Sequence, residues 1–273
     1  MTKHRKVPTY YFHAIRSIIP YTTKISRPRV PGNGRCTFFV RDEEHSEHVF
    51  KFNDFDMMFK NVQFNKVLRN NGVSVPKLEQ HVYKAAWMET YKMIDGRTLY
   101  ESIRRGMPQN LVCDVYRDII ADFVKMSQID VDELPKVKFA EIHQVTKYDV
   151  ATNTSKIVAP LFAHAVRIMN HGKKEDLGLY HCGITPKNII VTSEGKYAGL
   201  IDMDDVAISN RNYAFSVMAT QYERLGYDAK DLIDMYEGLS GKELNHKHLA
   251  RIGRINNFGR WLMWKAGLCS HQK

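Results

Sequence analysis

The chain has 273 residues, enough for one large domain or two modest ones with a buried core, and its 44% hydrophobic and 26% charged residues are those of an ordinary globular protein. Sixteen Gly and nine Pro exclude collagen-like and low-complexity chains, no apolar run nears the ~20 residues of a membrane-crossing helix, and the start Met-Thr-Lys-His-Arg-Lys lacks the apolar stretch of a secretory signal. The net charge of +10 is concentrated at the ends: residues 1–35 hold eight Lys/Arg and no acid, and residues 242–273 are also rich in Lys and Arg, with Glu243 as their one acid.

In chain order, the first signal is an apolar stripe, Tyr11, Phe12, Ile15, Ile18 and Ile19, flanked by Arg16 and Lys24. A basic amphipathic segment of this kind either caps a core or lies on an anionic membrane surface, and packing is the favoured reading. Pro31-Gly32-Asn33-Gly34-Arg35 reads as a flexible turn before a strand. Arg35–Val40 is β-branched and aromatic, His48–Phe52 alternates apolar and polar, and the charged stretch 41–47 between them reads as a hairpin loop. Phe55–Asn70 carries Phe59, Val62, Phe64, Val67 and Leu68 and predicts a helix stopping at Asn70-Asn71-Gly72. Val73–Leu78 and Ala85–Tyr91 read as further strands, and Asp95-Gly96 as a turn.

The pattern then becomes helical. Leu111, Val115, Ile119, Phe123 and Val124 share a helical spacing, as do Val158, Leu161, Phe162, Ala165, Ile168 and Met169. A β signal returns between Leu177 and Val206: Asn188–Val191, a Ser193-Glu194-Gly195 turn, and Tyr197–Ile201. Helical pattern resumes to the end, with a second basic apolar stripe over Ile252, Ile255, Phe258, Trp261, Leu262 and Trp264. A strand-rich first lobe with a basic extension, residues 1–95, is therefore expected before a helical second lobe, residues 96–273, with a hairpin in its middle. Four widely spaced cysteines without a Cys-x-x-Cys pair fit a reducing, cytoplasmic setting.

The chemistry concentrates in His181-Cys182-Gly183-Ile184-Thr185-Pro186-Lys187-Asn188 and in Ile201-Asp202-Met203-Asp204-Asp205. An amide ahead of one strand and a carboxylate after the next bring two oxygen ligands to one end of a hairpin, an arrangement suited to a hard cation such as Mg2+. The stretch resembles the catalytic and metal-binding segments of the protein-kinase-like superfamily. It is nearest the aminoglycoside phosphotransferase and choline kinase type, whose loop reads H-G-D-x-x-x-x-N and whose metal motif reads I-D-x-x-D. The likeness runs over about residues 30–225. It implies an α+β bilobal fold with ATP and Mg2+ in the cleft, Asn188 and Asp202 as metal ligands, and His181 as the loop histidine. It also implies that Gly32 and Gly34 lie over the phosphates and that Lys51 holds the α and β phosphates. The Met88–Leu99 stretch, with Glu89 and Tyr91, would form the hinge that meets the adenine.

The departures are as informative. Gly183 stands where the resemblance expects the catalytic Asp that receives or positions the substrate hydroxyl. No helix carboxylate is evident to pair with Lys51, since Asn61 or Gln63 occupies that region, and Tyr213-Ala214-Phe215-Ser216 lacks an expected aspartate. Asp204 and Asp205 are the nearest replacements for the missing base, although the superfamily's geometry directs that segment away from the hydroxyl. Cys182 reads as a buried, inert thiol. The leading expectation is a nucleotide-binding kinase-like protein with degenerate catalytic machinery, a pseudokinase. Two alternatives stay open: an active ATP-dependent phosphotransferase on a small hydroxyl-bearing substrate or a lipopolysaccharide sugar, and nucleotidyl transfer from ATP. Expected partners are a nucleotide, a small molecule or protein, and, through the basic ends, an anionic membrane surface at which the protein would be peripheral. Nucleic acid is not expected, because no recognition motif is present.

Overall fold

The computed structural model describes residues 9–26, 36–153 and 159–253. Its first part holds α1 (Thr9–Arg16), β1 (Thr22–Ser26), β2 (Cys36–Asp42), β3 (Glu47–Asn53), α2 (Phe55–Asn70), β4 (Glu79–Tyr83) and β5 (Ala86–Lys92). The strands form one antiparallel sheet in the order β1-β2-β3-β5-β4. Phe50, Phe52, Phe38, Val40 and Met88 of the sheet pack with Ala14 and Ile15 of α1 in a small core. The N-terminal apolar stripe thus covers the sheet, and Tyr11 meets Phe52 nearly edge-on with ring centres 4.6 Å apart. α2 forms over the predicted span. Asp54 caps it by accepting the Met57 N–H at 2.9 Å, and it stops before Gly72, at φ +70°.

Val73–Leu78 is not a strand, contrary to expectation. The Val73 N–H returns to the Leu68 carbonyl, the Ser74 N–H goes to the Asp122 carboxylate at 2.9 Å, and Pro76 has no N–H to give a ladder. The strand begins only at Glu79.

The chain crosses to the second part over residues 93–96. Gly96 has φ +139°, and a Cβ there would stand 2.9 Å from the Val191 carbonyl carbon, so the crossing requires glycine. There follow β6 (Arg97–Thr98), α3 (Leu99–Arg104), α4 (Gln109–Ser127), α5 (Ile142–Asn153), α6 (Ala159–Met169), β7 (Leu177–His181), β8 (Ile189–Val191), β9 (Tyr197–Leu200), β10 (Val206–Asn210), α7 (Arg211–Arg224) and α8 (Ala229–Ser240). The predicted hairpin is β8–β9, extended by β6. Helical pattern does not resume directly after Val206: β10 first pairs antiparallel with β7, Val206 opposite His181. α7 starts only after Asn210, which accepts the Asn212 N–H at 2.9 Å.

The larger core gathers Val115, Ile119 and Phe123 of α4 with Leu179, Tyr180, Phe215 and Tyr236. Buried Asp122 ties α4 to its surroundings, accepting from the Ser74 N–H, the Tyr197 hydroxyl at 3.0 Å and the Lys125 ammonium at 2.7 Å. Among the described residues no helix is long and apolar enough to cross a membrane. Gly32, Gly34 and the C-terminal stripe from Ile255 onward lie outside the described residues; Ile252 is buried in the larger core.

Candidate active site

The loop between β7 and β8 is held by its own side chains. His181 is fully buried. Its Nε2 donates to the Ile201 carbonyl at 2.8 Å, and the Gly183 N–H reaches its Nδ1 at 3.2 Å, a pattern that assigns the ring proton to Nε2. Asn188 donates its Nδ2 to the Gly183 carbonyl at 2.9 Å, while its own carbonyl accepts the Ile201 N–H at 2.9 Å. Asn188 and Asp202 are thereby brought to the same end of the hairpin. Asp202 sits at φ +68°, ψ +68°, a left-handed conformation costing a non-glycine residue of order 1–3 kcal/mol. From it the chain enters a single 3-10 turn, Met203–Asp205.

Lys51 of β3 reaches this turn from the other part of the molecule. Its Nζ lies 2.5 Å from the Asp202 carboxylate and also contacts the Asp204 carboxylate. Asp204, 2% exposed, accepts from Asn61 Nδ2 at 2.5 Å, and its main-chain oxygen receives the Lys60 ammonium at 2.7 Å. The inner face of α2 therefore presents Lys60 and Asn61, while Gln63 is only partly buried. The carboxylate partners of Lys51 come from the turn, not from the helix.

Glu89 differs from its expected place. It faces Lys51 in the β3–β5 register, is buried, and accepts from Asn61 Nδ2 at 2.8 Å. Burial pushes its carboxyl above the usual carboxylate range, with Lys51 opposing. Glu89 lies inside the sheet, whereas the crossing segment begins at Met93, whose N–H bonds the Glu47 carbonyl at 2.7 Å. Tyr91, also within β5, has its hydroxyl pKa raised by burial and then by the charges of Asp202 and Glu89.

Asp205 points the other way from Asp204. Its main-chain oxygen accepts the Cys182 N–H at 2.9 Å, and its side chain lies over Gly183. A Cβ added at residue 183 would stand 2.8 Å from Asp205 Cγ and 2.9 Å from its Cβ. Of the two acids expected as nearest replacements for the base, Asp205 therefore lies against the loop, and Asp204 faces Lys51. Burial, followed by the Asp202 charge, raises the Asp205 carboxyl above the usual range. Cys182 is buried, as expected, and burial pushes its thiol up to about 12.

Two ammonium groups, Lys51 and Lys60, thus face four carboxyl groups, Glu89, Asp202, Asp204 and Asp205. Among the described residues no cluster of three or more His, Cys, Asp or Glu is arranged to hold a metal by itself. Mg2+ is commonly held by one or two carboxylates with phosphate and water, and Asp202, its side chain 42% exposed, fits that role together with the Asn188 amide oxygen.

No family model and no curated protein sequence matches the chain. Solved structures do. An aminoglycoside phosphotransferase APH(3'') from Streptomyces rimosus superposes with TM-score 0.67 at 12% identity, covering 91% of this chain and 97% of that one. An amicoumacin kinase in complex with AMP-PNP and Ca2+ gives 0.66 at 13%, covering 94% and 86%. A macrolide 2'-phosphotransferase from Brachybacterium faecium gives 0.58 at 12%, covering 96% and 94%. At these identities the likeness establishes the fold: the chain is a mixed α and β protein with the protein-kinase-like architecture of the aminoglycoside and macrolide phosphotransferases.

Proposed function

We propose that the chain is an ATP-dependent phosphotransferase that moves the γ-phosphoryl group of ATP to a hydroxyl of a small molecule. The observation that carries this reading is the Lys51–Asp202 pair, an ammonium and a partly exposed carboxylate 2.5 Å apart, with Asn188 at the same hairpin end. Lys51 neutralises nucleotide phosphate, and Asn188 and Asp202 would hold Mg2+. When bound, the metal would supply positive charge that offsets the negative charge developing on the transferred phosphoryl group. His181 and Asn188 fix the loop on which the acceptor lies. Gly32 and Gly34 are assigned to the phosphates from sequence alone. The small-molecule acceptor is supported by the similar structures, whose names are those of antibiotic phosphotransferases.

A second reading, the pseudokinase, is favoured by Gly183 and by the absence of an acidic residue on the inner face of α2. Calorimetry with Mg-ATP, followed by ADP release in the presence of pooled aminoglycosides and macrolides, separates the two. Binding with acceptor-dependent turnover is expected. Binding without turnover on any hydroxyl-bearing compound would replace this reading by the second, and absence of binding would remove both.

A further inference from the structure

We infer that Asp205 supplies the carboxylate the loop lacks, reaching from the turn into the space left open by Gly183 and receiving the acceptor hydroxyl's proton there. This rests on the phosphotransferase reading and names the residue that completes its site.

The first support is steric. With Asp205 Cγ 2.8 Å and Cβ 2.9 Å from where a Cβ of residue 183 would be, the two positions cannot both carry a side chain in this arrangement. Gly183 is not among the residues with positive φ, so its backbone does not call for glycine. The space does. An aspartate at 183 would send its carboxyl into the volume Asp205 already fills.

The second support is rigidity. The Cys182 N–H bonds the Asp205 carbonyl at 2.9 Å, and the next residue, Val206, pairs with His181 in the β7–β10 ladder. The carboxylate and the loop therefore move as one body, the precision a proton acceptor needs.

The third is elimination. Asp202 and Asp204 are engaged by Lys51, and Asp204 also by Asn61 and, through its main chain, Lys60. Among the described residues no N–H or O–H donates to the Asp205 carboxylate, which leaves it able to accept from a substrate. In the transfer, the bond from the γ-phosphorus to its bridging oxygen breaks and ADP leaves with the electron pair. The acceptor oxygen bonds to phosphorus, its proton passes to Asp205, and water takes that proton up after product release.

Four forms of the full chain test this: wild type, Asp205→Asn, Gly183→Asp, and the double variant Gly183→Asp/Asp205→Gly. Mg-ATP affinity is read by calorimetry, and turnover as ADP release with water and with pooled aminoglycosides as acceptors. Asp205→Asn should keep Mg-ATP affinity within about threefold and lose turnover by ~10²–10⁴. Gly183→Asp alone should also lose turnover, because two carboxylates compete for one space. The double variant should recover at least about tenfold over either single change. Should Asp205→Asn fail to melt cooperatively, Asp205→Ser carries the same expectation. Unchanged turnover in the Asp205 variant, or a rise in turnover from Gly183→Asp with Asp205 in place, would overturn the assignment while leaving the phosphotransferase reading intact. A wild type that does not bind Mg-ATP would overturn both.

Discussion

The loop 181–188 and the turn 202–205 lie against each other and are built on opposite plans. The loop holds no acidic residue, and its polar side chains work on its own frame, His181 on Gly183 and Ile201, Asn188 on the Gly183 carbonyl. The turn carries three carboxylates in four residues and sends them to different neighbours: Asp202 to Lys51, Asp204 to Lys51 and Asn61, Asp205 over Gly183. Judged on the loop alone, the site has lost its acid. With the turn included, an acid stands beside the vacant position. A motif reports residues at fixed sequence offsets, whereas chemistry needs groups at fixed points in space, and two abutting segments can share one set of groups between them.

The contrast is sharpest in stability. If the turn anchors Lys51, Asp204→Ala removes the buried one of the two carboxylates that hold its ammonium, together with an acceptor of Asn61, and should cost about 3 kcal/mol in chemical denaturation. Asn61→Ala should cost less, about 1–3 kcal/mol, by leaving the Glu89 and Asp204 oxygens short of a donor. A loss below about 1 kcal/mol for Asp204→Ala would break the division of labour drawn here.

Next is the nucleotide. Mg-ATP at a hundredfold excess over Kd should stabilise the wild type by ~2.7 kcal/mol. Asp202→Ala should remove most of that gain in a thermal-shift assay, while Asp205→Asn should keep it. Equal loss in both variants would erase the distinction between the metal side and the acceptor side of the turn.

A smaller effect concerns Glu89. Its folded carboxyl is raised above 4.5 by burial, so the folded state holds the proton more tightly than the unfolded chain. The stability this confers is present at low pH and is lost as pH rises above 4.5 through the raised folded value. Glu89→Gln should flatten that decline, measured by denaturation at pH 5 and pH 8. An unchanged slope would show that the proton is not held there. Smallest is the loop thiol: Cys182 should resist iodoacetamide at neutral pH in the native protein and react after denaturation, whereas the half-buried Cys36 and Cys113 should label first. Early labelling of Cys182 would mean the loop opens more readily than its hydrogen bonds imply.

Much of the frame was legible beforehand because it rests on local rules. α2 runs over its predicted span since Asp54 caps it and Gly72 ends it, and β8–β9 follows from β-branched residues around Ser193-Glu194-Gly195. Asn188 and Asp202 meet because a tight hairpin joins the ends of its two strands. What escaped depends on non-local geometry. Val73–Leu78 looks β-branched, but its N–H groups are taken by a helix end and by Asp122, 48 residues away. Asp204 and Asp205 are adjacent, and which of them faces Lys51 is decided by the left-handed Asp202 that precedes them, a dihedral no periodicity announces. Asn61 could be separated from Gln63 only by knowing which face of α2 the sheet covers. A usable signal for Asp205 was present in the acid-rich run beside a loop lacking its own acid.

Mechanically, the left-handed Asp202 is the pivot of a short arm: its own carboxylate and that of Asp204 are keyed to β3 and α2, whereas Asp205 is pinned to the loop by the Cys182 N–H. A glycine at 202 would relax that pivot, and both grips on Lys51 would slacken together while Asp205 keeps its place over Gly183.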